Sequence, residues 1–171
     1  MSSITIFFGS STGNTESSAE MIAEEFSNKH SMEVSLINVS DISASDLLAE
    51  TDKIIVGIST WEIGELQPDW DYIFEDIVDM DFKGKKIALF GHGDAFGYPD
   101  TYQDAVGIMA EKFRALGAEI IGKTSTEGYD FDASKALEGD KFLGLALDND
   151  NEEDMTEERI KTWVTQLSSE F

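Results

Sequence analysis

The sequence predicts a doubly wound α/β fold: a five-stranded parallel sheet with helices on both faces and an insertion splitting the fifth strand. Three observations lead there. Short β-branched or aromatic runs, several of them continuous rather than alternating, read as strands buried on both faces. Between them lie segments whose apolar residues recur at helical spacing. The 171 residues fit a single domain, on a prior of about 100 to 200 residues per domain. Strand followed by helix, repeated along the chain, gives a parallel sheet joined by right-handed crossovers.

Strands are expected at Ile4 to Phe8, Val34 to Val39, Lys53 to Ile58, Lys86 to Phe90, Glu119 to Gly122 and Phe142 to Leu147. Ala19, Ile22, Ala23 and Phe26 share one helical face. So do Ala105, Ile108, Met109, Phe113 and Leu116, and again Ile160, Trp163, Val164 and Leu167. A short helix is expected over Ser45 to Glu50, and another from about Pro68 to Asp79 with Trp70, Ile73, Phe74 and Ile77 inward. Asp154 followed by Glu157 resembles a capping box opening the last helix, and Gly117 after Leu116 is a helix stop. Thr124 to Asp140 is a long connection rich in Gly, Asp, Glu and Ser between two segments of sheet material, so it is read as an insertion in the fifth strand.

Charge excludes several functions. The chain carries 12 Lys and Arg against 35 Asp and Glu, a formal net charge of -23. Such a field repels phosphate backbones and anionic lipid headgroups and attracts basic partners, so no nucleic acid is expected to bind. Cysteine is absent, which removes disulfides, thiolate nucleophiles and Cys-ligated metals. His30 and His92 alone do not make a multi-His metal centre. Neither a signal peptide nor a stretch of ~18 apolar residues is evident, so a cytoplasmic protein without membrane insertion is expected. The acidic run Asp148 to Glu158 reads as a solvated face.

In open α/β sheets ligands bind at the carboxyl ends of the strands. Three loops fall there. The first, Gly9, Ser10, Ser11, Thr12, Gly13, Asn14, Thr15, runs straight into a helix, where N–H groups and hydroxyls make a phosphate cradle; the same residues also serve as an ordinary strand-to-helix turn. It has no Walker lysine and no GxGxxG pattern, which argues against triphosphate hydrolysis and dinucleotide binding. A phosphate held by neutral donors suits a resident cofactor. The second loop carries Thr60, Trp61, Glu62, Ile63, Gly64 and Glu65, and the third Gly91, His92, Gly93, Asp94, Phe96, Gly97, Tyr98 and Pro99. Either aromatic alone reads as packing; Trp61 and Tyr98 beside a phosphate loop read as a clamp on a flat ring.

The phosphate loop Ser10 to Thr15, the Trp61 loop with Ile63, Gly64 and Glu65, the run Gly93, Asp94 to Gly97, Tyr98, and Lys141 to Asp150 together resemble the long-chain flavodoxins, of cyanobacterial type, across essentially the whole chain. The resemblance implies strand order 2-1-3-4-5 with FMN at the switch point. It implies that Ser10, Ser11, Thr12, Gly13, Asn14 and Thr15 bind the FMN phosphate and that Trp61 and Tyr98 sandwich the isoalloxazine. The backbone of Thr60, Gly93 and Asp94 would reach the pyrimidine edge and ribityl chain, with Asp150 near the ribityl hydroxyls. The peptide between Glu62 and Ile63, next to Gly64, would turn its carbonyl toward flavin N5–H on reduction. Two residues depart from the family pattern: Glu62 adds charge at the flavin edge, and His92 stands where a small or apolar residue is usual. His92 is read as a partly exposed loop residue rather than a proton relay; an ordinary pKa near 6.5 would be able to make the potential or docking pH-sensitive.

The family carries FMN non-covalently as a low-potential one-electron carrier, cycling between semiquinone and hydroquinone and replacing ferredoxin under iron limitation. Implied partners are basic redox-protein surfaces, such as ferredoxin–NADP reductase and photosystem I or other ferredoxin-dependent proteins, with the chain acting as a monomer. Glu62, Glu65, Asp69, Asp94 and Asp100 are the expected docking rim. The alternative on the same fold is an FMN-dependent NAD(P)H:quinone-type reductase, against which stand the two aromatics and the shortage of Lys and Arg near the loops. A non-redox module of the receiver type is a second alternative.

Overall fold

A computed structural model describes residues 3–48 and 52–171. In chain order the elements are β1 (Ser3–Phe8), α1 (Asn14–His30), β2 (Glu33–Asn38), β3 (Lys53–Trp61), β4 (Glu65–Leu66), α2 (Pro68–Phe74), β5 (Lys86–His92), α3 (Asp104–Ala115), β6 (Glu119–Ile121), β7 (Thr124–Ser125), β8 (Leu137–Glu138), β9 (Lys141–Phe142), β10 (Leu145–Leu147) and α4 (Glu153–Glu170). The parallel sheet runs β2, β1, β3, β5, and its last edge is shared by β6 and β10. β6 pairs with Lys86 to Ala88, and β10 with Phe90 to His92. Counting that edge as one interrupted strand gives the order 2-1-3-4-5, with the insertion in the fifth as expected.

The continuous apolar runs have a direct cause. Ile54, Val56 and Ile58 of β3 face one layer with Trp70, Met109 and Phe113, while Ile55 faces the other with Ile22, Phe26, Ile160 and Trp163. With successive side chains on opposite faces and a helical layer on each, every position must be apolar. Edge strand β2 is the exception and stays half exposed. Both fully buried tryptophans satisfy their indole N–H on backbone: Trp70 donates to the Gly57 carbonyl at 2.8 Å and Trp163 to that of Gly122 at 2.8 Å.

Several boundaries move for local reasons. β3 runs on through Trp61 and β5 through His92, because Ser59 still pairs with His92 and because Thr60 and Trp61 pair antiparallel with β4. The helix read over Pro68 to Asp79 is α2 followed by a 3-10 turn at Glu75–Ile77. The one read over Ser45 to Glu50 is a 3-10 segment, Ala44–Leu48; Ala49 and Glu50 lie outside the described residues. Phe142 to Leu147 is two strands, since Lys141–Phe142 joins an antiparallel sheet inside the insertion, ordered β7, β9, β8. Around it Tyr102, Tyr129, Phe131 and Phe142 form an aromatic cluster, with Tyr129 and Phe142 centroids 5.0 Å apart.

The capping-box reading of Asp154 is corrected. α4 starts at Glu153, and the cap residue Glu152 makes no side-chain cap bond. Its carboxylate instead meets Arg159 at 3.2 Å, while its N–H donates to the Asp148 carbonyl at 2.8 Å. Gly117 ends α3 as read, with φ 105 and the Schellman pair of bonds, Ala118 N–H to Phe113 and Gly117 N–H to Arg114, both 3.1 Å. Among the described residues no helix is long and apolar enough to cross a membrane.

Candidate functional site

β1, β3, β5 and β10 all deliver their carboxyl ends to one cleft of about 460 Å³. Its lining comes from the β1–α1 loop, the β3–β4 hairpin, the segment after β5 and the segment after β10. Of the sequence-predicted residues, Thr12, Asn14, Thr15, Thr60, Trp61, Glu62, Gly93, Asp94, Tyr98 and Asp150 line it together. Ser10, Ser11, Gly13, Ile63 and Gly64 do not.

The residues outside the lining build the loops. Ser10 Oγ accepts the N–H of Gly13 at 3.1 Å and of Glu16 at 3.4 Å. Ser11 Oγ accepts from the amide of Gln67, which is fully buried and also caps α2 through Asp69 and Trp70 N–H. Gly13 takes φ 92 so that the chain can turn into α1. The N–H groups of Ser11, Thr12, Asn14 and Thr15 find no acceptor among the described residues. Donors of this kind at the start of a 17-residue helix form an anion cradle. The cleft lining holds no Lys or Arg.

Trp61 closes β3, and its indole N–H donates to Ser59 Oγ at 2.9 Å. Beyond it the hairpin turn places Glu62 at φ 45 and Gly64 at φ 76, with Ile63 78% exposed at the tip. Across the cleft Tyr98 is half exposed on a turn whose N–H groups at Gly97 and Tyr98 donate to Asp94, at 2.7 and 2.9 Å. Thr60 sends its hydroxyl away to accept Ala105 N–H at 3.0 Å, pinning the start of α3 to the hairpin.

Behind the cleft the acidic run is not a solvated face throughout. Asp148 is fully buried, and its carboxylate accepts Ala95 N–H at 3.0 Å, Asn151 N–H at 3.1 Å and the Asn151 side chain at 2.8 Å. Asp94, Asp148 and Asp150 bring carboxylate oxygens within 4.8 Å of one another. Burial, reinforced by Asp94 and Asp148, raises the Asp150 pKa.

Three lining residues fall outside the predicted set: Ser59, His92 and Asn149. Asn149 links the last segment to the phosphate loop, donating to Asn14 Oδ1 at 3.2 Å and accepting from Thr156 at 2.5 Å. Its signal was its place between two aspartates. Ser59 and His92 were hidden because the strands run further than their apolar runs. His92 is corrected outright. It is buried at the end of β5, its Nε2 lies 2.7 Å from Ser18 Oγ, and its Nδ1 has no partner. Burial lowers its pKa to about 4, so the ring is neutral at pH 7.

The flavodoxin family model matches residues 6–163. The chain belongs to the flavodoxin family. It is 50% identical to a flavodoxin of Nostoc sp. over 168 residues, covering 98% of this chain and 96% of that protein. It is 48% identical to that of Synechococcus elongatus over 174 residues, covering 100% and 99%. Among solved structures, Fusobacterium nucleatum flavodoxin bound to flavin mononucleotide superposes with a TM-score of 0.92 at 26% identity, covering 100% of this chain and 99% of that one. Flavodoxins are electron-transfer flavoproteins rather than enzymes, and the cleft here pairs two aromatics with an anion cradle.

Proposed function

We propose that this flavodoxin is a soluble, cytoplasmic, monomeric one-electron carrier. In this reading it holds FMN non-covalently in the cleft and replaces ferredoxin when iron is short. One observation carries the reading: a single cleft joins a loop of unpartnered N–H groups, with no Lys or Arg in the lining, to one aromatic at the end of β3 and another on the turn after β5. FMN fits that donor set, because its phosphate matches the N–H cradle and its ring needs flat apolar walls.

When bound, FMN supplies a ring that takes up and releases electrons one at a time. The chain does the rest. The N–H groups of Ser11, Thr12, Asn14 and Thr15, with the hydroxyls of the loop, would hold the phosphate, Ser10 and Gln67 keeping the loop in shape. Trp61 and Tyr98 would flank the ring and shield it from water. Backbone at Thr60, Gly93 and Asp94 meets the polar ring edge, and Asp150 with Asn149 meets the hydroxylated tether. The Glu62 carbonyl would offer a hydrogen-bond acceptor at the ring edge. Glu62, Asp94, Asp148 and Asp150 oppose added negative charge; a carboxylate ~12 Å away costs a few tenths to about 1.4 kcal/mol at effective dielectrics of 80 to 20. That opposition makes the carrier a strong reductant.

Partners are basic redox-protein surfaces, of which ferredoxin–NADP reductase and photosystem I are the expected examples. Of the carboxylates assigned to the docking rim, Glu62, Glu65 and Asp100 are exposed. Asp69 and Asp94 are less exposed and already accept hydrogen bonds, from Gln67 and from Gly97 and Asn151 respectively. The test is FMN titration of cofactor-free protein followed by a spectroelectrochemical titration. Stoichiometric uptake and two separate one-electron steps are expected; no uptake, or a single two-electron step, rejects the carrier.

A further inference from the structure

Asp104 opens α3, is 3% exposed, and does not line the cleft. Its two oxygens face different parts of the molecule. Oδ1 accepts the N–H of Lys135, in the insertion, at 2.7 Å. Oδ2 lies against the β3–β4 turn: a Cβ on Gly64 would come within 2.7 Å of it. Gly64 also has φ 76, so its place against the carboxylate needs glycine twice over.

The neighbours reinforce both sides. Ala105 N–H donates to Thr60 Oγ1 at 3.0 Å, beside Trp61. At Gly107, one turn along α3, a Cβ would lie 2.2 Å from the Lys135 carbonyl oxygen, so the insertion backbone rests directly on the helix. Tyr102 N–H reaches the Ala133 carbonyl at 3.2 Å. The positive end of α3 supports the buried charge.

We propose that Asp104 is a positioning residue that couples the 124–140 insertion to the Trp61 hairpin, so that the seating of the insertion sets how firmly the turn at 62–64 is held at the mouth of the cleft. An insertion remote from the cofactor thereby acts on the peptide that meets it. Only the electrochemical part of this inference rests on the FMN reading; the mechanical part stands without it.

The test uses the full chain, with and without FMN, and two variants. Asp104→Ala removes both contacts. Lys135→Pro removes the N–H donor and leaves the Asp104 carboxylate in place, at a residue that does not line the cleft. Hydrogen exchange read by mass spectrometry should show both the 62–66 and 133–137 segments opening at least ~10-fold faster in each variant, the loss expected of one charge-assisted hydrogen bond, with β5 unchanged. In FMN-loaded protein the two one-electron potentials should shift unequally. Lys135→Pro that loosens the insertion while the hairpin keeps its wild-type exchange overturns the coupling; unchanged potentials in a variant with a loosened hairpin overturn its effect on the cofactor-facing peptide. If Asp104→Ala does not fold, Lys135→Pro decides alone. If the protein takes up no FMN, the carrier reading fails while the exchange comparison still decides the coupling.

Discussion

The hydroxyl of Ser18 in α1 sits 2.7 Å from Nε2 of His92 at the end of β5, fixing a neutral imidazole in the wall of the cleft. Burial holds its pKa at about 4, against 6.5 in an ordinary setting, and the nearby Asp148 charge only partly opposes this. The unfolded chain therefore binds the proton more readily than the folded one. The stability that follows is complete above pH 6.5 and is lost as pH falls toward 4, amounting to roughly 3 kcal/mol. Urea unfolding across pH 4 to 7 should show a shallower acid loss in His92→Gln than in the wild type. Parallel curves would reject the buried neutral ring.

Glu62 combines two separable properties. Its φ of 45 carries a backbone cost for a non-glycine residue, and its exposed carboxylate lies on the cleft. Glu62→Gly should raise the stability of the FMN-free protein by up to about 1 kcal/mol, whereas Glu62→Gln should leave it within ~0.5 kcal/mol. Both remove the charge, so both should raise the potential of the second one-electron step by a similar amount. A shift in only one of them would assign the effect to backbone geometry rather than charge.

The sheet was legible because burial on both faces writes itself into continuous runs such as Ile54 to Ile58, and because Gly117 is where a helix of this register must stop. The cleft was legible in those residues whose chemistry is unusual for a turn: Trp61, Tyr98 and the hydroxyl-rich loop. What escaped depends on tertiary pairing. Ser59 and His92 extend their strands by standing opposite each other in the parallel ladder, which no local pattern records. The Asp154 capping box failed because Asp148, twelve residues before Ile160, had already organised the start of α4 through Asn151 and Glu152. Asp104 carries no local signal, since both groups that face it, Gly64 and Lys135, lie far away in sequence.

Asp148 is buried without a cation and is held by three N–H bonds. Asp148→Ala leaves those donors unmatched and should cost about 2 kcal/mol in chemical unfolding, part of the loss being offset by relief of repulsion with Asp94 and Asp150. The same variant should lower the pKa of Asp150, because one of the charges that raises it is gone. An NMR titration of the Asp150 carboxyl reads this directly; an unchanged Asp150 would show that burial and Asp94 set its pKa without Asp148.

The cleft also predicts which donors the protein accepts. With Trp61 and Tyr98 flanking the site and no Lys or Arg in its lining, a nicotinamide cofactor finds neither open ring surface nor a phosphate anchor. Mixing FMN-loaded protein with NADPH alone in a stopped-flow instrument should give no rapid reduction, and adding a basic reductase should restore it. Reversing charge at Glu62, Glu65 and Asp100 together should slow that transfer at least ~10-fold at low ionic strength, with the difference shrinking as salt screens the encounter. Because these three carboxylates are exposed, the variant should fold with unchanged FMN affinity to within a few-fold. Rapid reduction by NADPH alone would favour the reductase, and a triple variant as fast as the wild type at low salt would place the docking rim elsewhere on the acidic surface.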